Sequence, residues 1–129
     1  MQYKTINVSA SRCYDIHIGR GLLAKLGEFI RPLTGECRLA VLTDSNVDAL
    51  YGNVIVEHLA SAGYDVCKYV IPAGEASKCA TNLLAFLDFL AQEQITRSDA
   101  VVAFGGGVVG DLGGLSASLY IQMIYNIIF

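Results

Sequence analysis

Three nearly uninterrupted apolar runs, RLAVLTD (38–44), VCKYVIP (66–72) and AVVAF (100–104), alternate with segments whose apolar residues recur at helical spacing. A strand that lacks polar alternation is buried on both faces, and a sheet is buried on both faces when crossover helices cover it. The alternation therefore predicts an α/β fold, a Rossmann-like parallel sheet covered by helices. Ahead of it, YKTINV and YDIHIG alternate apolar and polar residues at period two, with SASRC between them as a turn, and predict an N-terminal β-hairpin.

The helices follow from spacing. Leu22, Leu23, Leu26, Phe29 and Ile30 predict an amphipathic helix that Pro32 and Gly35 bring to an end. The helix after Asp44 is expected to turn Val54, Ile55, Leu59 and Ala60 inward and to stop near Gly63. The one after the AGEASK loop is expected to bury Leu83, Leu84, Leu87, Leu90 and Ala91. At 129 residues the chain is expected to form one domain, residues 1–129, with about two thirds of its unfolded surface buried.

Composition narrows the function. Hydrophobic residues at 53% against 16% charged argue for a packed core over disorder. The net charge is −3 and the nine Lys and Arg are scattered, so no basic stripe is available for a nucleic acid backbone. Cys13, Cys37, Cys67 and Cys79 form no C-x-x-C pair and read as buried free thiols. MQYKTINVSASR has no apolar run after a basic region, so no secretory signal is read and a cytoplasmic protein is expected. Asp111 interrupts the one long apolar stretch, and glycines and serines follow it, so a membrane span is not expected. His17 and His58 have no neighbouring ligand set.

In parallel α/β sheets, ligands sit outside the carboxyl ends of strands, where helix N-termini offer unpaired N–H groups. Three such ends carry polar or glycine-rich loops: TDSN (43–46), AGEASK (73–78) and GGGVVGD (105–111). In the last, Gly105, Gly107 and Gly110 spell G-x-G-x-x-G between a strand and a helix, a spacing that lets backbone N–H groups approach a pyrophosphate. The ribose-binding acid that usually follows about twenty positions later is not in place, which leaves Glu75 and Asp44 on neighbouring loops as candidates. From spacing alone the bland reading stays open: glycines for tight helix packing, Asp111, Asp44 and Asn46 as caps, and Glu75 with Lys78 as a solvated helix entrance.

IPAGEASK, the leucine-rich helix after it and ITRSDAVVAFGGGVVGDLGGLSASLY together resemble 3-dehydroquinate synthase, of the sugar phosphate cyclase group, and YDIHIGRGLL and LAVLTDSNV are similar to that family's start. The resemblance implies tightly held NAD, a divalent metal (zinc or cobalt), and conversion of 3-deoxy-D-arabino-heptulosonate 7-phosphate to 3-dehydroquinate in the shikimate pathway. It implies that Asp44 and Asn46 meet the adenosine side of NAD and that Glu75 and Lys78 meet ribose and nearby groups. By the same resemblance Gly106, Gly107 and Val108 hold the pyrophosphate by backbone and Asp111 meets a hydroxyl near the nicotinamide end. Gly74, Gly105, Val109 and Gly110 complete the implied cofactor-binding set. A family-type homodimer is implied too.

The resemblance breaks off after Tyr120. Gln122 stands where the family has a substrate-binding Arg and Met123 where it has a Gly, and a neutral amide lacks a guanidinium's charge and fork. The family's Pro-Thr-Thr turn, its metal-holding glutamate and histidines and its helical C-terminal domain have no counterpart in these residues. The expectation is an NAD-binding domain incomplete at its C-terminal end, catalytically inactive alone, with IQMIYNIIF as an apolar tail lacking cover. The alternative is a free-standing nucleotide-binding module without catalysis, or a nonfunctional remnant.

Overall fold

A computed structural model describes residues 3–9, 13–120 and 124–127. Strands β1 (Tyr3–Ser9) and β2 (Cys13–Gly19) form an antiparallel hairpin. Helix α1 (Leu26–Thr34) follows a 3₁₀ turn over Leu22–Lys25. Strand β3 (Arg38–Asp44) leads into α2 (Ser45–Val47), a π turn (Asp48–Gly52) and α3 (Asn53–Ser61). Then come β4 (Asp65–Ile71), α4 (Ala80–Gln92), β5 (Ala100–Phe104), α5 (Gly107–Tyr120) and β6 (Ile124–Ile127).

The second sheet is parallel, with strand order β4-β3-β5-β6. All five residues of β5 and Leu39 to Thr43 of β3 are buried, as the apolar runs predict. Alternate residues serve opposite faces. Leu39, Val41, Ala100, Val102 and Phe104 join Ile30, Ile55 and Leu59 of α1 and α3. Ala40, Leu42, Val101 and Ala103 join Phe86 and Leu90 of α4 with Val109, Leu112 and Ala117 of α5. Each large aliphatic or aromatic side chain so covered contributes about 1.5–3 kcal/mol.

Several details depart from the spacing. Pro32 lies inside α1, not at its end. It removes the N–H that would reach the Glu28 carbonyl, but both residues are exposed, so water replaces that donor. Gly35 terminates the helix, with φ +65° and its N–H on the Arg31 carbonyl at 2.8 Å. In α3, Ile55 and Leu59 are buried, whereas Val54 and Ala60 sit one position, about 100°, off that stripe and are exposed. In α4, Leu84 and Ala91 are exposed, and the buried stripe runs through Phe86 and Leu90 with Leu83 and Leu87 beside it.

The thiols of Cys37, Cys67 and Cys79 are free, but the first two are half-buried and Cys79 is exposed, because it sits in the surface loop that opens α4. The side chain of Cys13 lies outside the described residues, as do Gln122 and Met123. The backbone of 124–127, read from sequence as an uncovered tail, supplies the edge strand β6 beside β5. No helix among the described residues is long and apolar enough to cross a membrane. His17 is occupied structurally: its ring stacks on Phe29 at 4.3 Å and its Nδ1 lies 2.8 Å from the Thr5 hydroxyl.

At the amino ends of the strands, buried Asp99 accepts the backbone N–H groups of Arg38 and Thr96, each at 2.8 Å, and the Thr96 hydroxyl at 3.2 Å. The Arg38 side chain pairs with Asp65 at 2.9 Å and donates to the Glu93 carbonyl. Tyr120 closes the same end by donating to the Ile95 carbonyl at 3.0 Å.

Candidate functional site

The strand order fixes where a crevice opens. From β3 the chain leaves outward to β4, and from β5 it leaves the other way to β6, while α3 and α5 pack on opposite faces of the sheet. The carboxyl ends of β3 and β5 are therefore the topological switch point, the place where open α/β sheets hold ligands. In register, Asp44 stands beside Ile71 and Thr43 beside Phe104, so the loops after β3, β4 and β5 leave the sheet at one level. All the site residues read from sequence lie on those three loops and the first turns that follow them.

Asp44 closes β3 and caps α2. Its Oδ1 accepts the N–H groups of Asn46 and Val47, each at 2.9 Å. Its Oδ2 faces Gly105: a Cβ built there would lie 3.7 Å from it. Asn46 is exposed on the first turn. The carboxylate thus serves as a cap through one oxygen, and its other oxygen lies at the mouth of the switch point.

Gly105, Gly106 and Gly107 differ in what requires them. Gly105 has φ +155°, and a Cβ there would meet the Val109 side chain at 3.2 Å, so packing inside the chain accounts for it. Gly106 and Gly107 are exposed, have no positive φ, and a Cβ on either would meet nothing within 4 Å. The protein's own packing gives no reason for glycine at those two positions. What their missing side chains leave is open space at the start of α5.

The N–H groups of residues 106–109 are the ones an α-helix cannot satisfy internally, and Gly106 has no side chain to cap them. Gly110 is different, because its N–H is taken by the Gly106 carbonyl at 3.0 Å. Val109 is buried in the core and Val108 is half-buried against it.

The loop after β4 turns at Gly74, with φ +115°, into a 3₁₀ turn over Glu75–Ser77. Glu75 and Lys78 are exposed. Lys78 Nζ pairs with Asp111 Oδ2 at 2.6 Å, joining this loop to α5. The hydrogen bond that Lys78 donates to Asp111, and then the charge of that carboxylate, hold the Lys78 ammonium above the ordinary lysine value, so it stays protonated. Below the pair runs a shallow groove floored by Leu83, Leu112 and Leu115.

Two residues that the sequence places in the TDSN loop without a role tie the rim together. Thr43, fully buried, donates its hydroxyl to the Phe104 carbonyl at 2.7 Å. Ser45 accepts the Ala73 N–H at 2.9 Å, linking the loops after β3 and β4. The signal for Thr43 was a lone hydroxyl at the last inward position of an all-apolar strand. Ser77 steadies the β4 loop by donating to the Pro72 carbonyl.

Comparison with known proteins joins this geometry to a family. Residues 68–128 match the family model described as 3-dehydroquinate synthase N-terminal. A 3-dehydroquinate synthase of Enterococcus faecalis (strain ATCC 47077 / OG1RF) is 43% identical over 112 residues, 87% of this chain and 31% of the relative. One of Paracoccus denitrificans is 43% identical over 120 residues, 92% of this chain and 33% of the relative.

The chain is similar to 3-dehydroquinate synthases over about nine tenths of its own length.

It spans about a third of the length of the relatives it matches. Among solved structures, a 2-deoxy-scyllo-inosose synthase complexed with carbaglucose-6-phosphate, NAD+ and Co2+ superposes with a TM-score of 0.83 over 97% of this chain and 34% of its own, at 22% identity. A 2-epi-5-epi-valiolone synthase from Streptomyces hygroscopicus subsp. jinggangensis, with NAD+ and Zn2+ bound, gives 0.73 over 95% and 34%, at 28% identity. The Rossmann-like sheet with its N-terminal hairpin is thus the arrangement these sugar phosphate cyclases share with the chain.

Proposed function

We propose that the crevice at the switch point binds NAD, and that the chain is the nucleotide-binding domain of a 3-dehydroquinate synthase. The observation that carries this reading is the open space at Gly106 and Gly107: two glycines that no contact inside the chain requires, at the N-terminus of a helix beside the switch point. A pyrophosphate suits that space by chemistry, since its oxygens accept N–H groups at the start of α5 and its charge suits the helix dipole. The NAD+ in the two solved neighbours supports the nucleotide part of the reading.

In this reading Asp44 and Asn46 meet the adenosine side, and Glu75 and Lys78 meet ribose and nearby groups from the facing loop. Lys78 supplies a fixed positive charge that Asp111 already holds in place. Asp111 keeps an oxygen for a hydroxyl near the nicotinamide end. NAD, when bound, supplies hydride acceptance from a secondary alcohol and its return. The residues of this chain hold and orient the nucleotide.

The substrate in this reading is 3-deoxy-D-arabino-heptulosonate 7-phosphate and the product 3-dehydroquinate. The metal is a different matter, because among the described residues no group of three or more His, Cys, Asp or Glu is placed to hold an ion. No step is assigned to zinc or cobalt here. The 129 residues alone, given NAD and zinc, are expected to release no phosphate from the heptulosonate; release would contradict the assignment of a binding role only.

Calorimetric titration of NAD into the purified chain tests the central reading. Saturable binding weakened by Lys78→Ala and by Gly107→Val is expected. Unchanged affinity in both variants would refute the site.

A further inference from the structure

We infer that Thr43 is a positioning residue for the glycine loop, an inference that rests on the nucleotide reading above. Thr43 is fully buried at the end of β3, on the face lined by Val41, Ile55 and Phe104. An aliphatic side chain would fill that place without a polar atom to satisfy, and a buried hydroxyl is costly unless bonded. Here it is spent on the Phe104 carbonyl at 2.7 Å, the last carbonyl of β5 before the chain turns at Gly105.

That carbonyl belongs to the peptide plane that carries the Gly105 N–H. A planar peptide rotates as one unit, so fixing its oxygen also fixes the direction in which the chain leaves the sheet toward Gly106. The opposite side of Gly105 is closed by Val109, whose Cγ2 lies 3.2 Å from where a Cβ would stand. Gly105 is therefore held between the Thr43 hydroxyl and Val109, while Gly106 and Gly107 beyond it have no such contact. Thr43 is also the residue before Asp44, so one short segment sets both the acceptor at the mouth of the crevice and the take-off of the loop facing it.

The test compares NAD affinity and thermal midpoint in Thr43→Val, which keeps the shape and loses the donor, and Thr43→Ser, which keeps the donor. Loss of one buried hydrogen bond between neutral groups corresponds to about a fivefold change in a binding constant when it is felt at the ligand. Thr43→Val is expected to bind NAD about fivefold more weakly even at temperatures where it is fully folded, with Thr43→Ser within about twofold of the parent. Parent-like affinity in folded Thr43→Val, with a lower midpoint only, would make Thr43 a stability residue and overturn the inference. If Thr43→Val does not fold, Thr43→Ala takes its place against Thr43→Ser, and equal affinities in that pair would overturn it as well. Failure of the parent itself to bind NAD would be a different result, removing the nucleotide reading and this inference with it.

Discussion

At the amino end of the parallel sheet, the polar groups between the strands bond one another: Asp99 accepts three donors, and Arg38 bridges to Asp65 and Glu93. At the carboxyl end, ties of the same kind, Thr43 to Phe104, Ser45 to Ala73 and Lys78 to Asp111, stop at the rim and leave the glycines at the start of α5 facing open space. One end resembles a finished clamp and the other a frame. In a small α/β domain, polar groups that satisfy each other stabilise the fold, whereas donors left over beside a helix N-terminus remain available to an anion.

Mutations at the two ends should therefore separate. The largest effect on folding is expected at the clamp: Asp99→Ala strands three donors and should cost about 3 kcal/mol in urea unfolding, with NAD affinity of the folded protein unchanged. A change in affinity there would break the comparison. Gly107→Val should do the opposite, weakening NAD more than about tenfold while shifting stability by less than about 0.5 kcal/mol, because its side chain enters only empty space.

A smaller effect is expected for Lys78→Ala, about threefold in NAD affinity with a reduced salt dependence, since its partner is also exposed and surface pairs add little to folding. The smallest is alkaline. Burial pushes the Cys67 thiol up to about 11 from its ordinary 9.0, so the fold favours the protonated form. Its contribution is fully present below 9.0 and is lost as pH rises through about 11. Near pH 8, alkylation followed by mass spectrometry should therefore label exposed Cys79 at the rim before half-buried Cys67 in the sheet.

Much of this was legible in the sequence, for a reason that also sets the limit. Arg38–Asp44 and Ala100–Phe104 were read to the residue because a strand buried on both faces has no polar interruption, and the loops at their ends followed from chain order. The faces of α3 and α4 were read less well: Val54, Ala60, Leu84 and Ala91 are apolar but one helical step off the buried stripe, and Phe86 went unnoticed. Hydrophobicity reports what is tolerated inside, and phase reports what is placed there. Thr43, Ser45 and the Lys78–Asp111 pair were missed as ties because each bond joins loops distant in sequence, and only the packed sheet brings them within reach. The strand at Ile124–Ile127 was missed because a short apolar run has no period to separate an edge strand from an uncovered tail.

On the proposed reading, the carboxyl end of the sheet receives NAD and the amino end does not. Amide chemical shifts of isotopically labelled protein, followed during an NAD titration, report on both ends in one experiment. Saturable shifts are expected at Gly105 to Asp111 and at Ala73 to Lys78, with the amides of Arg38, Thr96 and Asp99 left in place. Shifts centred on the Arg38 and Asp99 end, or no saturable shift at Gly106 and Gly107, would contradict it.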